Sequence, residues 1–140
     1  MSPMMFDQFI LPRLTKLVQE IKGLNAFCIK HSDGNMTSLM ESLISTGVDC
    51  VHPFEPVAGM DLRSAKAQWG NRICIMGNVD CGQLMCHGRP EEVEEAVRQC
   101  IRDAGGGGGY ILSSSNSTHS SVKPENFLAM VNAGKKHGRY

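Results

Sequence analysis

No apolar run in this sequence approaches the ~20 residues needed to cross a bilayer. The opening segment, MSPMMFDQF, lacks both the basic and the apolar region of a secretory signal, so the expectation is a cytoplasmic protein. There is no excess of either charge. Lys+Arg and Asp+Glu both number 14, giving a formal net charge of zero, so nothing steers the chain toward nucleic acid or an anionic membrane. No C-x-x-C pair occurs among the six cysteines, and Cys28, Cys50, Cys74 and Cys100 sit inside apolar segments. Reduced, packed thiols are expected rather than a disulfide framework. Neither G-x-G-x-x-G nor G-x-x-x-x-G-K-[ST] is present, which leaves a nucleotide-binding reading without support. No low-complexity linker divides the 140 residues, so residues 1–140 read as a single domain.

What is present is an alternation of short β-like runs with amphipathic stretches. Ser2-Pro3 opens a helix as cap and first turn, Phe6, Phe9, Ile10, Leu14, Leu17, Val18 and Ile21 recur at helical spacing, and Gly23 ends it. Pro12 is expected to kink or split that helix. Strands are expected near 26–31, 49–53, 72–77 and 109–114. Helices are expected over 37–46, 61–69, 90–104 and 124–136, the last two opened by Pro then Glu. One helix followed by four βα units implies an α/β fold with a parallel sheet and right-handed crossovers.

In such folds function sits in the loops after the strands' C-terminal ends. Those loops read HSDGN at 31–35, HPFEP at 52–56, GNVD at 77–80 and SSSNSTH at 113–119, while the opposite loops are plainer. His31 and Asp33, two apart, point to one side, and with Glu55 they form an N/O/O set suited to a divalent metal. The alternative is that His31 and Asp33 hydrogen-bond their loop and Glu55 caps a helix. His52, between a strand valine and a proline, reads as a packed, hydrogen-bonded histidine. Asn78 and Asp80 read either as ligand contacts or as holders of their turn. His87 and His137 read as solvated.

KHSDGN at 30–35, TGVDCVHPFEPVAGMDL at 46–62, RICIMGNVD at 72–80, GGYILSSSNS at 108–117 and PENFLAMVNAGKKHGRY at 124–140 together resemble the uroporphyrinogen decarboxylase superfamily. That resemblance implies a TIM barrel of which the last four βα units are present. It also implies one of two chemistries: decarboxylation in porphyrin biosynthesis, or methyl transfer to or from a corrinoid. In the methyltransferases zinc is held by an H-x-C after one strand, a Cys after the last strand and an additional Glu. His31 matches the histidine and Glu55 the glutamate. Asp33 stands in place of the first cysteine and Asn116 in place of the second, with His119 three residues on.

The resemblance therefore implies zinc held by His31, Asp33 and Glu55, with a corrinoid as methyl carrier and a corrinoid protein as partner. Asp33, Glu55 and Asn78 are the expected catalytic residues, and Asn78, Asp80, Asn116 and His119 the expected substrate contacts. The harder donor set suits activation of an ether oxygen, as in O-demethylation. Decarboxylases of the family carry histidine where Asn116 stands and draw an Arg-rich segment and an Asp from their N-terminal half. A non-catalytic half-barrel that serves as an assembly module is the third reading. Four strands leave two open edges, so a homodimer or pairing with a complementary N-terminal half is expected. The inward faces of the four strands are expected to present Phe27, Ile29, Ile73 and Ile75 to water, depending on register; the alternative to pairing is that the leading helix, 3–22, folds over the open face.

Overall fold

A computed structural model describes residues 2–139. The leading helix runs unbroken past Pro12 as α1 (Pro3–Met5), a wider π turn (Phe6–Ile10) and α2 (Leu11–Gly23). Pro12 has no N–H for a regular helical bond. The expected kink or split is replaced by the wider turn, in which the Leu11 N–H reaches back five residues to the Phe6 carbonyl.

Four strands follow: β1 (Ile29–His31), β2 (Cys50–His52), β3 (Cys74–Val79) and β4 (Tyr110–Ser114). They form one sheet in the order β1-β2-β3-β4, and every pair is parallel. Between them lie two short 3₁₀ turns (Thr37–Leu39 and Pro56–Ala58), α3 (Met40–Ser45), α4 (Leu62–Trp69), α5 (Gln83–His87) and α6 (Pro90–Ala104); α7 (Pro124–His137) follows β4. Asp61 caps α4 by accepting from the Ser64 N–H at 2.8 Å. Glu92 reaches back to the Arg89 N–H at 2.8 Å and seals the start of α6. α5 has no counterpart in the expected elements.

Period-two alternation splits the sheet into two unlike faces. Val51, Ile75 and Val79 are buried against a helical layer that includes Val18, Met40, Leu43, Trp69, Val93 and Val97. The expectation that Ile73 and Ile75 face inward is corrected: they are 5% and 0% exposed and join this helix-side core. On the other face Phe27 is 89% exposed and Ile29 52%, and they line an open cavity of about 480 Å³ with Cys50, Cys74 and Ile111. The leading helix does not cover it. α2 packs beside α3 on the opposite side, tied down by Lys22 to Asp49 at 2.9 Å, while Asp7 of the π turn accepts from the Ser42 hydroxyl of α3 at 2.6 Å.

The loop after β2 presses against the C-terminal half of β3 at one point. A Cβ on Gly77 would lie 2.1 Å from the Pro53 carbonyl oxygen, so only glycine allows the approach. This brings the residues that follow β2 against Gly77 and Asn78 of β3.

Candidate functional site

The parallel register pairs His31 with His52 directly across β1 and β2. Opposed residues in a parallel pair point to the same face about 4.8 Å apart, and the two imidazoles meet accordingly. Their Nδ1 atoms are 2.7 Å apart and their ring centroids 4.9 Å. The far nitrogen of each ring is also engaged. His31 Nε2 lies 3.1 Å from Asp33 Oδ1, and His52 Nε2 lies 3.1 Å from the Ser114 carbonyl oxygen at the end of β4. Burial of its ring lowers the His52 pKa below the ordinary histidine value, and proximity to His31 acts in the same sense.

Asn116, after β4, extends its amide back across the mouth of the sheet. Its Nδ2 donates to Asp33 Oδ1 at 3.0 Å and stands 3.4 Å from Glu55 Oε1. Glu55 is fixed from its other oxygen, which accepts the Gly34 N–H at 2.7 Å. The β1, β2 and β4 loops thus contribute His31, Asp33, His52, Glu55 and Asn116 to one hydrogen-bonded cluster. Among the described residues, no lysine or arginine forms an ion pair with Asp33 or Glu55.

Beside the cluster lies a cavity of about 480 Å³ whose walls include Glu55, Asp80, Cys81, Asn116 and His119. His119 Nε2 is also 3.9 Å from the thiol of buried Cys86. Cys81, buried beneath the cavity, donates to the Ser117 carbonyl at 3.3 Å, and burial raises its pKa. Four of the expected site residues therefore share one pocket: Glu55, Asp80, Asn116 and His119.

Asn78 is not brought to the cluster. It is 9% exposed, its amide donates to the Phe54 carbonyl at 2.7 Å, and its oxygen accepts from the Cys100 thiol at 3.5 Å. It borders a separate cavity of about 280 Å³. Asp80 borders both cavities, and its carboxylate accepts the Gly82 and Leu84 N–H groups at 2.9 and 3.3 Å, holding the start of α5. His137, read from sequence as solvated, pairs with Glu94 at 2.9 Å, while His87 is exposed. All six cysteines are free, as expected.

Two features escaped sequence reading. The contact of His52 with His31 depends on strand register, for which one sequence carries no signal. The Gly34 N–H that fixes Glu55 is a main-chain group and leaves no mark in side-chain patterns.

The donor types at this site are imidazole nitrogen and carboxylate or amide oxygen, which suit a hard or borderline divalent cation. Two carboxylates without a lysine or arginine partner converge on one amide, an arrangement that would suit such a cation. As placed, the donors are bonded to one another. Among the described residues, no three His, Cys, Asp or Glu side chains stand together closely enough to hold a metal ion. The Asn116 amide nitrogen occupies the space between the two carboxylates.

Comparison with known proteins gives one consistent result. The family model described as uroporphyrinogen decarboxylase (URO-D) matches residues 1–137. A uroporphyrinogen decarboxylase of Trichodesmium erythraeum is 33% identical over 90% of this chain and 34% of its own length. The methylcobamide:CoM methyltransferase MtbA of Methanosarcina mazei is 30% identical over 94% of the chain and 37% of its own length. Among solved structures, a methyltransferase from Methanosarcina mazei superposes with a TM-score of 0.83 at 23% identity, over 97% of this chain and 38% of its own. That likeness shows the fold. The chain spans little more than a third of the length of these relatives.

Proposed function

From the premise that this chain belongs to the uroporphyrinogen decarboxylase family, we propose that it carries the metal-binding part of a methyl-transfer site of the O-demethylase type, working with a corrinoid as methyl carrier. The observation that carries this reading is the pairing of Asp33 and Glu55 across the Asn116 amide, with His31 against Asp33 and no cationic side chain between them.

His31, Asp33 and Glu55 would hold the ion once the Asn116 amide withdraws. Zinc is the metal that the resemblance implies. Bound there, it supplies Lewis-acid activation of an ether oxygen. The chain's own residues do the rest. Gly34 fixes the Glu55 carboxylate through its N–H. Asn116 and His119 line the adjoining cavity and would orient the substrate. Asp80 keeps that wall in place by holding the start of α5. The face of the pocket left open by the four loops is where a corrinoid protein would present its cofactor.

The harder donors support ether cleavage over thiol methylation, because Asp33 and Asn116 stand where the family's methyltransferases have thiolates. Decarboxylation is the second reading, and the decarboxylase relatives favour it by name. The site favours it less: the decarboxylases' histidine is replaced by Asn116, whose amide is committed to two carboxylates.

The test is metal content of the chain purified without chelators. About one equivalent of divalent metal, lost in Asp33→Ala and in Glu55→Gln, is the expected result. Wild-type protein that binds none when zinc is supplied sinks the reading.

A further inference from the structure

We propose that Cys50 and Cys74 form a dithiol site on the bare face of the sheet that takes up a trivalent arsenical. The site is separate from the strand-end cluster and does not rest on the metal reading of it.

The geometry comes from strand register. Cys50 of β2 stands directly opposite Cys74 of β3, with Ile29 of β1 in the same row. Opposed residues on neighbouring parallel strands share a face and lie about 4.8 Å apart. The two thiols therefore project side by side, and both line the open cavity of about 480 Å³ whose walls include Phe27, Ile29 and Ile111. Cys50 is buried and Cys74 half-buried, so an incoming group meets Cys74 first and finds the second thiol beside it. Neither sulfur is tied down by a close backbone acceptor. Cys50 Sγ is 3.7 Å from the Val51 carbonyl and Cys74 Sγ is 3.9 Å from the Ile75 carbonyl. The other neighbouring pair differs: Cys81 and Cys86 each donate to a carbonyl at 3.3 Å.

The chemistry follows from the state of the pair. Burial, reinforced by the adjoining Cys74, pushes the Cys50 thiol up to about 12, so it is protonated and neutral near pH 7. A structural zinc ion asks for four donors. Among the described residues, no three His, Cys, Asp or Glu side chains stand together closely enough to hold a metal ion. A bare cation would also demand thiolates, placing charge against a largely apolar wall. A trivalent arsenical makes neither demand. With phenylarsine oxide, a sulfur–arsenic bond forms to Cys74 and a second to Cys50. The arsenic–oxygen bonds break, and the oxygen leaves as one water carrying both thiol protons. Arsenic stays trivalent, nothing is oxidised or reduced, and the product is neutral. Its phenyl ring is apolar, and Phe27, 89% exposed, offers an apolar surface beside the pair.

The experiment treats the full chain, reduced and free of added metal, with phenylarsine oxide. Intact mass is followed first, then the adduct is alkylated with iodoacetamide in denaturant and each cysteine is mapped. The expected result is one adduct, heavier by one arsenical less one water, with Cys50 and Cys74 alone shielded from alkylation. Cys50→Ser and Cys74→Ser each leave a single thiol, and affinity is expected to fall about 100-fold or more as the second, intramolecular bond is lost. Cys28→Ser and Asp33→Ala are expected to bind as the wild type does, the latter separating this site from the strand-end cluster. The shielding pattern is read on the wild type, so a serine variant that folds poorly does not blunt the test. Shielding of Cys81 and Cys86 instead, no adduct, or full affinity retained in a folded Cys74→Ser overturns the proposal.

Discussion

The amide nitrogen of Asn116, at the end of the last strand, lies 3.0 Å from the carboxylate of Asp33, beyond the end of the first. The two residues are 83 positions apart, and their strands are the opposite edges of the sheet. The loops curl together over the sheet's C-terminal end, so that one neutral amide stands between Asp33 and Glu55.

Asn116 is therefore the gate to the proposed ion. Asn116→Asp exchanges the bridging amide for a third carboxylate. Without metal the variant is expected to be less stable, by about 1 kcal/mol, because a neutral donor to two carboxylates becomes a third like charge. With zinc supplied the order reverses: its melting temperature rises above that of the wild type at the same metal concentration, since binding to the native state alone adds stability by mass action. Thermal melts with and without zinc measure this. A variant equally stable under both conditions would speak against an ion at this position.

Gly77 lies where β3 touches the loop after β2. Gly77→Ala places a methyl group 2.1 Å from the Pro53 carbonyl oxygen, and nothing in a backbone contact can give way cheaply. The expected loss is about 1–3 kcal/mol. The same shift would carry Phe54 and Glu55 away from Asn116, so metal binding should weaken along with stability. A urea melt indistinguishable from wild type would count against this account of the contact.

Much of the scaffold was legible in the sequence because its signals are local. Pro90 and Pro124 open helices at those residues, Asp61 caps α4, and the four polar loops follow four parallel strands. What was misread depended on partners distant in sequence. Ala26 and Phe27 look like strand residues, yet strand pairing with β2 begins only at Ile29 opposite Cys50. β3 was expected to end at residue 77 and continues to Val79, because Asn78 and Val79 pair with Ser113 and Ser114. α5 is five residues between two glycines, too short for periodicity to reveal. The site divides in the same way. His31, Asp33 and Glu55 announce themselves by residue type at strand ends and Asn116 by the family resemblance, whereas the contacts of His52 and of the Gly34 N–H come from register and main-chain geometry.

The α6–α7 contact holds one carboxylate from which acid sensitivity is expected. Glu94 lies 2.8 Å from Lys136 and 2.9 Å from His137, and its hydrogen bond from His137, the largest cause, holds its pKa down to about 2. A carboxyl depressed in the folded state contributes stability above its unfolded pKa and loses that contribution as pH falls toward the folded value. The window runs from the ordinary 4.5 down to about 2. Melting temperature should fall across that window, and Glu94→Gln should flatten the fall by lowering the melting temperature near neutrality by a matching small amount, small because the pair is open to solvent screening. Equal slopes for both proteins would assign acid sensitivity elsewhere.

The last prediction concerns the bare sheet face. Phe27, Ile29 and Ile111 are 89%, 52% and 41% exposed and border one cavity with Cys50 and Cys74. β1 and β4 are edge strands, neither containing proline. The superposed methyltransferase is matched over only 38% of its length, so this chain corresponds to part of a larger body in that fold. In a solution of the chain alone, a second copy is the only protein available to cover the apolar face. Self-association at micromolar concentration is therefore expected, because exposed apolar clusters of this kind are unfavourable in a monomer. Phe27→Ser combined with Ile111→Ser should shift the equilibrium toward monomer without loss of helical content, since both side chains already lie outside the helix-side core. Sedimentation equilibrium decides between the outcomes. A wild-type chain that stays monodisperse and monomeric while unfolding cooperatively would show that this face is stable in water.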